Sequence, residues 1–94
     1  MKLDKLIQDL LDIQEDMQSS GVDTSEVDVL AGIQPTYPLT GVVVGAVSGE
    51  ELADHCEDEL AENMRKAVWV ATDQVSSSSK YNPYAPKPLW EVAR

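Results

Sequence analysis

A single ten-residue segment sets the architecture of this chain: Leu39-Thr40-Gly41-Val42-Val43-Val44-Gly45-Ala46-Val47-Ser48. Its β-branched centre, residues 42–44, favours an extended strand because branched side chains pack well on a pleated surface. In a regular strand Gly41 and Gly45 flank Val43 on one face, and strand glycines mark a bulge or a closely packed neighbour. We therefore expect a helix to lie across these two glycines.

Strands are also predicted on either side of this segment. Apolar residues alternate with other residues over residues 27–34, which predicts a strand of about eight residues. Pro35 and Pro38 then exclude helix from the connection, because proline disfavours helical backbone in the residue before it. Residues 67–72, which contain Trp69, predict a third strand.

Two helices complete the pattern. Residues 2–18 carry an apolar stripe with helical spacing, and Gly21 suits a left-handed cap after the last turn. We expect this helix to pack on the sheet; a two-stranded coiled coil is the alternative, although two heptads are too few to stand alone. Ser48 and Glu51 form a capping-box pattern that opens a second helix over residues 49–65. Its apolar stripe is Leu52, Cys56, Leu60 and Met64.

The element order is α-β-β-α-β, which predicts an α+β fold with a small three-stranded sheet and two helices. The 94 residues form one domain, divided into an amphipathic helix (1–20), a sheet (27–72) with the acidic helix 49–65 inserted, and a proline- and aromatic-rich tail (76–94) that begins with a serine run. Strands 2 and 3 form either a parallel pair joined by a right-handed crossover or an antiparallel hairpin with the helix at its tip.

The composition excludes several classes of function. Seventeen acidic against seven basic residues give a net charge of −10, which argues against direct nucleic-acid binding because phosphates require a basic surface. No apolar stretch approaches the ~20 residues of a membrane span. The single cysteine, Cys56, excludes an internal disulfide and fits a reducing compartment. We expect a cytoplasmic protein.

The acidic residues are unevenly distributed. Residues 6–64 contain fourteen carboxylates and no lysine or arginine. On the predicted helix, Glu50, Asp54, Asp58 and Glu62 form one row with carboxylates ~6 Å apart, close to phosphate spacing along a nucleic-acid strand. This surface is either a solubilising or high-salt adaptation, or a docking face for a basic protein such as a nucleic-acid-binding host protein. The predicted partner-binding residues are Glu50, Glu51, Asp54, Glu57, Asp58, Glu62, Asp9, Asp12 and Asp16.

The aromatic tail is a second candidate surface. Tyr81, Tyr84 and Trp90 alternate with prolines, and Tyr37 extends the same patch. The tail either covers an edge of the sheet, which a small open sheet needs, or provides an interface for a partner or for a second copy in a homodimer.

No catalytic, metal-binding or cofactor-binding residue is predicted. His55 and Cys56 are adjacent, so on a helix they point about 100° apart and cannot form a hydrogen-bonded pair. The spacing Gly41-x-x-x-Gly45 lacks the lysine of a phosphate-binding loop. We expect a protein that is not an enzyme.

Two motifs carry a resemblance to a known family. Gln34-Pro35-Thr36-Tyr37-Pro38-Leu39 and Tyr81-Asn82-Pro83-Tyr84-Ala85-Pro86 resemble the Gln-Pro-x-aromatic-Pro-aliphatic segment and the Pro-Tyr-x-Pro ending of small uncharacterised proteins of bacteria, plasmids and phages. The resemblance implies that residues 49–66 are an insertion at a hairpin tip, which favours the antiparallel topology. It also implies a mobile-element accessory protein.

These observations predict a non-catalytic acidic protein, of phage or mobile-element origin, that binds a basic site on a host protein. Its most concrete form is an anti-defence inhibitor, similar to anti-CRISPR proteins, that mimics nucleic acid. The alternative is a small structural or assembly module that forms a homo-oligomer through its sheet edge or its aromatic tail.

Overall fold

The computed structural model describes residues 1–34, 36–75 and 80–93, and shows an α+β fold built on a three-stranded antiparallel sheet. Pro35, Arg94 and the serine run at 76–79 lie outside the described residues. The strands are β1 (Leu30–Ile33), β2 (Leu39–Ser48) and β3 (Val68–Gln74), in the spatial order β1-β2-β3. The helices are α1 (Leu3–Ser19), α2 (Gly49–Asp54), α3 (Glu62–Arg65) and α4 (Leu89–Ala93).

The central strand β2 pairs with both of its neighbours in antiparallel register. Leu30 lies opposite Val42 on one side, and Val68 lies opposite Ser48 on the other. Strands β2 and β3 therefore form a hairpin, and residues 49–67, called the acidic insertion below, are a long excursion at its tip. The antiparallel prediction is confirmed, and the parallel crossover is wrong.

A β-bulge at Val44 changes which residues of β2 share a face. Val43 pairs with Thr72 and Gly45 pairs with Ala71, so Val44 is an extra residue between them. A bulge is one of the two features that glycines in a strand mark. Because adjacent β3 residues point to opposite faces, Val43 and Gly45 also lie on opposite faces.

No helix lies across Gly41 and Gly45, so that prediction is wrong. The bulge places the two glycines on opposite faces, and a methyl group built on Gly45 meets nothing within 4 Å. The close approach occurs instead at Gly32 of β1, where the Leu89 and Trp90 side chains of α4 occupy the space of a Cβ atom. The short helix α4, which follows Pro88, thus covers β1.

The first strand is shorter than predicted, and the third is longer. Residues 24–26 form a 3-10 turn instead of leading directly into the strand, because the Asp23 carboxylate accepts hydrogen bonds from the Ser25 backbone N–H at 3.1 Å and from the Ser25 hydroxyl. β1 begins only at Leu30, although the Val29 carbonyl still accepts a 2.9 Å bond from the Val43 N–H. β3 continues to Gln74, which lies opposite Gly41 of β2.

Helix α1 ends as the sequence predicts. Gly21 adopts φ +83°, its N–H bonds to the Gln18 carbonyl, and the Val22 N–H bonds to the Met17 carbonyl. These two bonds form a Schellman cap, which requires a left-handed residue and therefore favours glycine.

Helix α1 lies over the face of the sheet that carries Val68 and Val70, but it does not seal that face. An open groove of about 480 Å³ is lined by Leu3 and Leu6 of α1 together with these two valines. Along the apolar stripe of α1 the exposed fractions of Ile7, Leu10 and Ile13 are 47%, 47% and 53%. The predicted packing of the helix on the sheet is therefore only partial.

The predicted continuous helix over residues 49–65 is wrong. Helix α2 ends at Asp54, and His55 is its C-cap; helix α3 begins only at Glu62. The Ser48 hydroxyl accepts from the Glu51 N–H at 3.2 Å, as the capping pattern predicts. Beyond this start, the helix would stack like charges one turn apart in a segment rich in weak helix formers, and both effects disfavour its continuation.

The small core lies where the tail meets the sheet. Val75 and Ala85 are the buried apolar side chains of the described residues. The Thr40 N–H donates to the Pro83 carbonyl at 2.8 Å, and the Ala85 N–H donates to the Pro38 carbonyl at 3.3 Å. These backbone bonds attach the tail to the beginning of β2.

Candidate interaction surfaces

The acidic insertion is closed at its base by three contacts. The Gly49 N–H donates to the Ala67 carbonyl at 2.8 Å, which brings the two ends of the insertion together. The Trp69 indole N–H donates to the Met64 carbonyl at 3.0 Å. Arg65 reaches back to Glu50 at 3.2 Å. These bonds hold the insertion on the tip of the β2–β3 hairpin.

The carboxylates of the insertion are exposed but do not form the predicted helical row. Helical periodicity stops after Asp54, so residues 57–59 lie in an irregular segment between α2 and α3. The regular one-turn spacing that resembled a phosphate backbone is therefore lost. All predicted partner-binding residues of the insertion remain solvent-exposed: Glu50, Glu51, Asp54, Glu57, Asp58 and Glu62, with Glu59 beside them.

Two bases at the end of the insertion neutralise part of this charge. Arg65 pairs with Glu50 at 3.2 Å, and Lys66 pairs with Glu62 at 3.0 Å. These pairs are exposed, so each contributes little to stability. In the described part of the chain, no salt bridge reaches the other five carboxylates of the insertion. The negative surface is thus centred on residues 51–59.

The three predicted aspartates of α1 do not join this surface. Asp9 is paired with Lys5 at 2.5 Å, and Asp12 accepts a hydrogen bond from the Gln8 amide at 2.9 Å. The groove that lies between α1 and the insertion is lined by Lys2 at the amino-terminal end of the helix and by Lys66. Asp9, Asp12 and Asp16 lie progressively farther along α1, at 1.5 Å per residue, from that end.

Cys56, which the sequence places on the apolar stripe of the predicted helix 49–65, lies outside helix α2. The chain leaves helical geometry at His55, and the Cys56 side chain is exposed, with its thiol donating to the Leu52 carbonyl at 3.3 Å. Within residues 1–34, 36–75 and 80–93, no group of three or more His, Cys, Asp and Glu side chains is arranged to hold a metal ion.

The aromatic residues of the tail form separate contacts and not one continuous patch. The rings of Tyr37 and Tyr84 pack edge to face, with centroids 6.1 Å apart and an interplanar angle of 88°. Trp90 lies against Gly32 in β1. Tyr81 donates a hydrogen bond from its hydroxyl to the Asp28 carboxylate. Together with the backbone bonds to β2, these contacts favour the prediction that the tail covers the sheet.

Tyr81, Lys80 and Asp28 form an electrostatic cluster at this end of the molecule. The Tyr81 hydroxyl lowers the pKa of Asp28, and Lys80, whose ammonium lies 3.3 Å from the same carboxylate, lowers it further. The same hydrogen bond raises the pKa of Tyr81, and Asp28 raises the pKa of Lys80. Sequence reasoning missed this cluster because 53 residues separate Tyr81 from Asp28.

Acidification is expected to release the tail through Asp28. Since its folded-state pKa lies below the unfolded value, its contribution to stability is complete above the unfolded pKa and is lost as the pH falls through the folded pKa. Asp28→Asn should therefore speed hydrogen exchange of the Thr40 and Ala85 amides at neutral pH, and its difference from the wild type should shrink as the pH falls below about 3.9, the ordinary pKa of an aspartate.

The matched control for this prediction is Glu91→Gln, which removes an equal charge from the tail helix without touching Asp28. Exchange in this control should follow the wild type. Equal exchange rates in wild type and Asp28→Asn at neutral pH would show that the cluster does not hold the tail.

Comparison of the chain with protein-family models, with curated proteins and with solved structures finds no match. The resemblance to small mobile-element proteins therefore stays a prediction. None of the helices in the described residues combines the length and the apolar character needed to cross a membrane.

Proposed function

We propose that this protein is a non-catalytic interaction protein that binds a basic surface of another protein through its acidic insertion. The observation that carries this proposal is the cluster of exposed carboxylates at residues 51–59, which stands at the tip of a hairpin and lacks basic residues within it. The exposure of these carboxylates leaves the cluster accessible to a partner.

The physical basis of binding is long-range attraction. A chain of net charge −10 with a concentrated acidic tip attracts a lysine- or arginine-rich surface and speeds encounter with it, in a way that weakens as salt screens the charges. Because residues 55–61 are not helical, the carboxylates are not held at fixed one-turn intervals. The geometry therefore fits a basic protein surface in general, and it gives no added support to the nucleic-acid-mimicking or anti-CRISPR-like form of the hypothesis.

The experiment is affinity capture from host lysate across a salt series, with the whole chain as bait. The triple variant Glu57→Lys/Asp58→Lys/Glu59→Lys raises the net charge by two units per substitution, from −10 to −4. We expect this variant to lose the proteins that the wild type captures at low salt, and we expect those proteins to be released from the wild type as salt rises.

The control variant Asp4→Lys/Glu15→Lys/Glu26→Lys has the same net charge of −4, but its exposed substitutions lie outside the insertion. It should keep the captured proteins if the insertion is the binding site. Equal loss in both triple variants would mean that only net charge matters, and equal retention would exclude the insertion. Binding to polylysine, which senses total charge, should fall equally in both variants.

A further inference from the structure

The folded chain exposes far more surface than its mass requires. Its accessible surface is 7801 Å², whereas a compact monomer of 10.3 kDa exposes about 5,400 Å². Its radius of gyration is 15.6 Å, against about 12 Å for a compact domain of this length. The surplus of roughly 2,400 Å² per chain lies at the upper end of the roughly 1,000–2,500 Å² that one subunit buries in an obligate dimer.

The apolar part of this surplus is concentrated on α1 and the sheet face beneath it. A groove of about 350 Å³ runs between the helix, at Ile7 and Leu11, and the strand approach at Val27 and Val29. Leu11 and Val29 are 52% and 54% exposed. A helix with a wide apolar stripe normally buries that stripe completely, so this chain leaves the stripe incompletely covered.

The charges beside the stripe indicate what covers it. Residues 2, 5, 9, 12 and 16 follow the same 3-4-3-4 spacing as the stripe and lie along one flank of it. This flank begins with Lys2 and Lys5 and ends with Asp12 and Asp16. A second α1 that runs antiparallel across a twofold axis brings this flank of each copy against the same flank of the other, which places the lysines of each copy opposite the aspartates of the other. In a parallel pair this flank would face the opposite flank of the partner, which carries no lysine, so the lysine–aspartate match is specific to the antiparallel arrangement.

We infer that two copies of this chain associate about a twofold axis through the apolar stripe of α1, with the two α1 helices antiparallel. At the axis Asp9 meets its own copy, and its charge is compensated within each chain by Lys5 at 2.5 Å. In this dimer the aspartates of α1 contact the second copy, so the α1 interface is separate from the acidic insertion.

Sedimentation equilibrium of the full chain tests the association. We expect a mass of 20.6 kDa, twice the 10.3 kDa of one chain. Ile7→Glu should raise the dimer Kd by roughly 10- to 100-fold, because it places a charge in the apolar contact. Ser19→Glu adds the same charge at the end of α1, outside the stripe and beyond the last residue of its charged flank, and should leave the dimer intact. A wild-type mass of 10.3 kDa at every concentration overturns the inference.

A charge swap tests the orientation and does not depend on the apolar substitution. Lys2→Glu/Lys5→Glu and Asp12→Lys/Asp16→Lys should each weaken the dimer, and the variant with all four substitutions should recover it. If the dimer of the variant with all four substitutions is as weak as the dimers of the two double variants, the antiparallel arrangement is overturned. Two chains that each carry a net charge of −10 repel one another, and salt screens that repulsion, whereas salt weakens the attraction of the acidic insertion to a basic partner. A salt series therefore distinguishes the dimer interface from the proposed function.

Discussion

Replacing Gly49 with alanine is expected to lower the free energy of unfolding by about 2–3 kcal/mol, as overpacking of a tight contact does. A methyl group at this position would collide with the backbone carbonyls of Met64 and Arg65. These oxygens belong to the end of α3 and cannot move aside as a flexible side chain can. Urea denaturation followed by circular dichroism measures the loss.

Gly45→Ala is the matched control, because the same change in β2 meets no atom within 4 Å. It should leave stability unchanged or raise it by a few tenths of a kcal/mol, since glycine is unfavourable within a strand. Equal destabilisation by the two substitutions would mean that the loss of a glycine as such, and not the closed base of the insertion, accounts for the effect at Gly49.

Trp90→Ala is expected to lower the free energy of unfolding by about 2 kcal/mol. This value lies below the range for a tryptophan removed from a core because Trp90 is only half-buried. Its ring and the Leu89 side chain pack directly on Gly32, so truncation leaves the backbone of β1 uncovered. Denaturation followed by the remaining tryptophan, Trp69, measures the change from the far end of the hairpin.

Tyr84→Ala provides the comparison for this second prediction. Tyr84 is 57% exposed, and its edge-to-face contact with Tyr37 contributes about 0.5–1.5 kcal/mol. The loss at Trp90 should therefore exceed the loss at Tyr84. The reverse order would show that the tail is held mainly by the tyrosine pair and not by α4.

The parts of the fold that depend on neighbouring residues could be predicted from the sequence. The valine-rich centre of β2 specifies a strand, Gly21 specifies a left-handed cap, and the Ser48 hydroxyl caps α2. Each of these is decided by interactions within five residues. The antiparallel hairpin was one of two open topologies, because local pattern does not determine how a long connection returns.

The predictions that were wrong concern places where the regular pattern of a helix or strand is interrupted. The bulge at Val44 reverses the alternation that placed Gly41 and Gly45 on one face, and period-two counting has no means of detecting an extra residue. The predicted second helix stops because weak helix propensity and like-charge repulsion over residues 54–61 together outweigh the stabilisation that its apolar stripe provides. The apolar residues of this segment do recur at helical spacing, but that spacing alone does not make residues 55–61 helical.

The sequence predicts which residues form the candidate surfaces, but it does not predict how those residues are arranged in space. The acidic residues of the insertion are exposed, as their distribution in the sequence predicts. The salt bridges of Arg65 with Glu50 and of Lys66 with Glu62 were not predicted. The Asp28 cluster and the cover of Gly32 by α4 join residues more than fifty positions apart. Such contacts are set by the path of the tail, which short-range pattern does not encode.

The hydrogen bond between the Gly49 N–H and the Ala67 carbonyl brings the two ends of the acidic insertion together, so the insertion can be removed without separating β2 from β3. Since a hydrogen bond of 2.8 Å between nitrogen and oxygen joins its two ends, a tight turn can connect β2 to β3 in its place, and the strand pairing of the hairpin keeps its register. The segment is equally suited to grafting onto the turn of another hairpin. Its length and charge are therefore free to vary without redesign of the sheet that carries it.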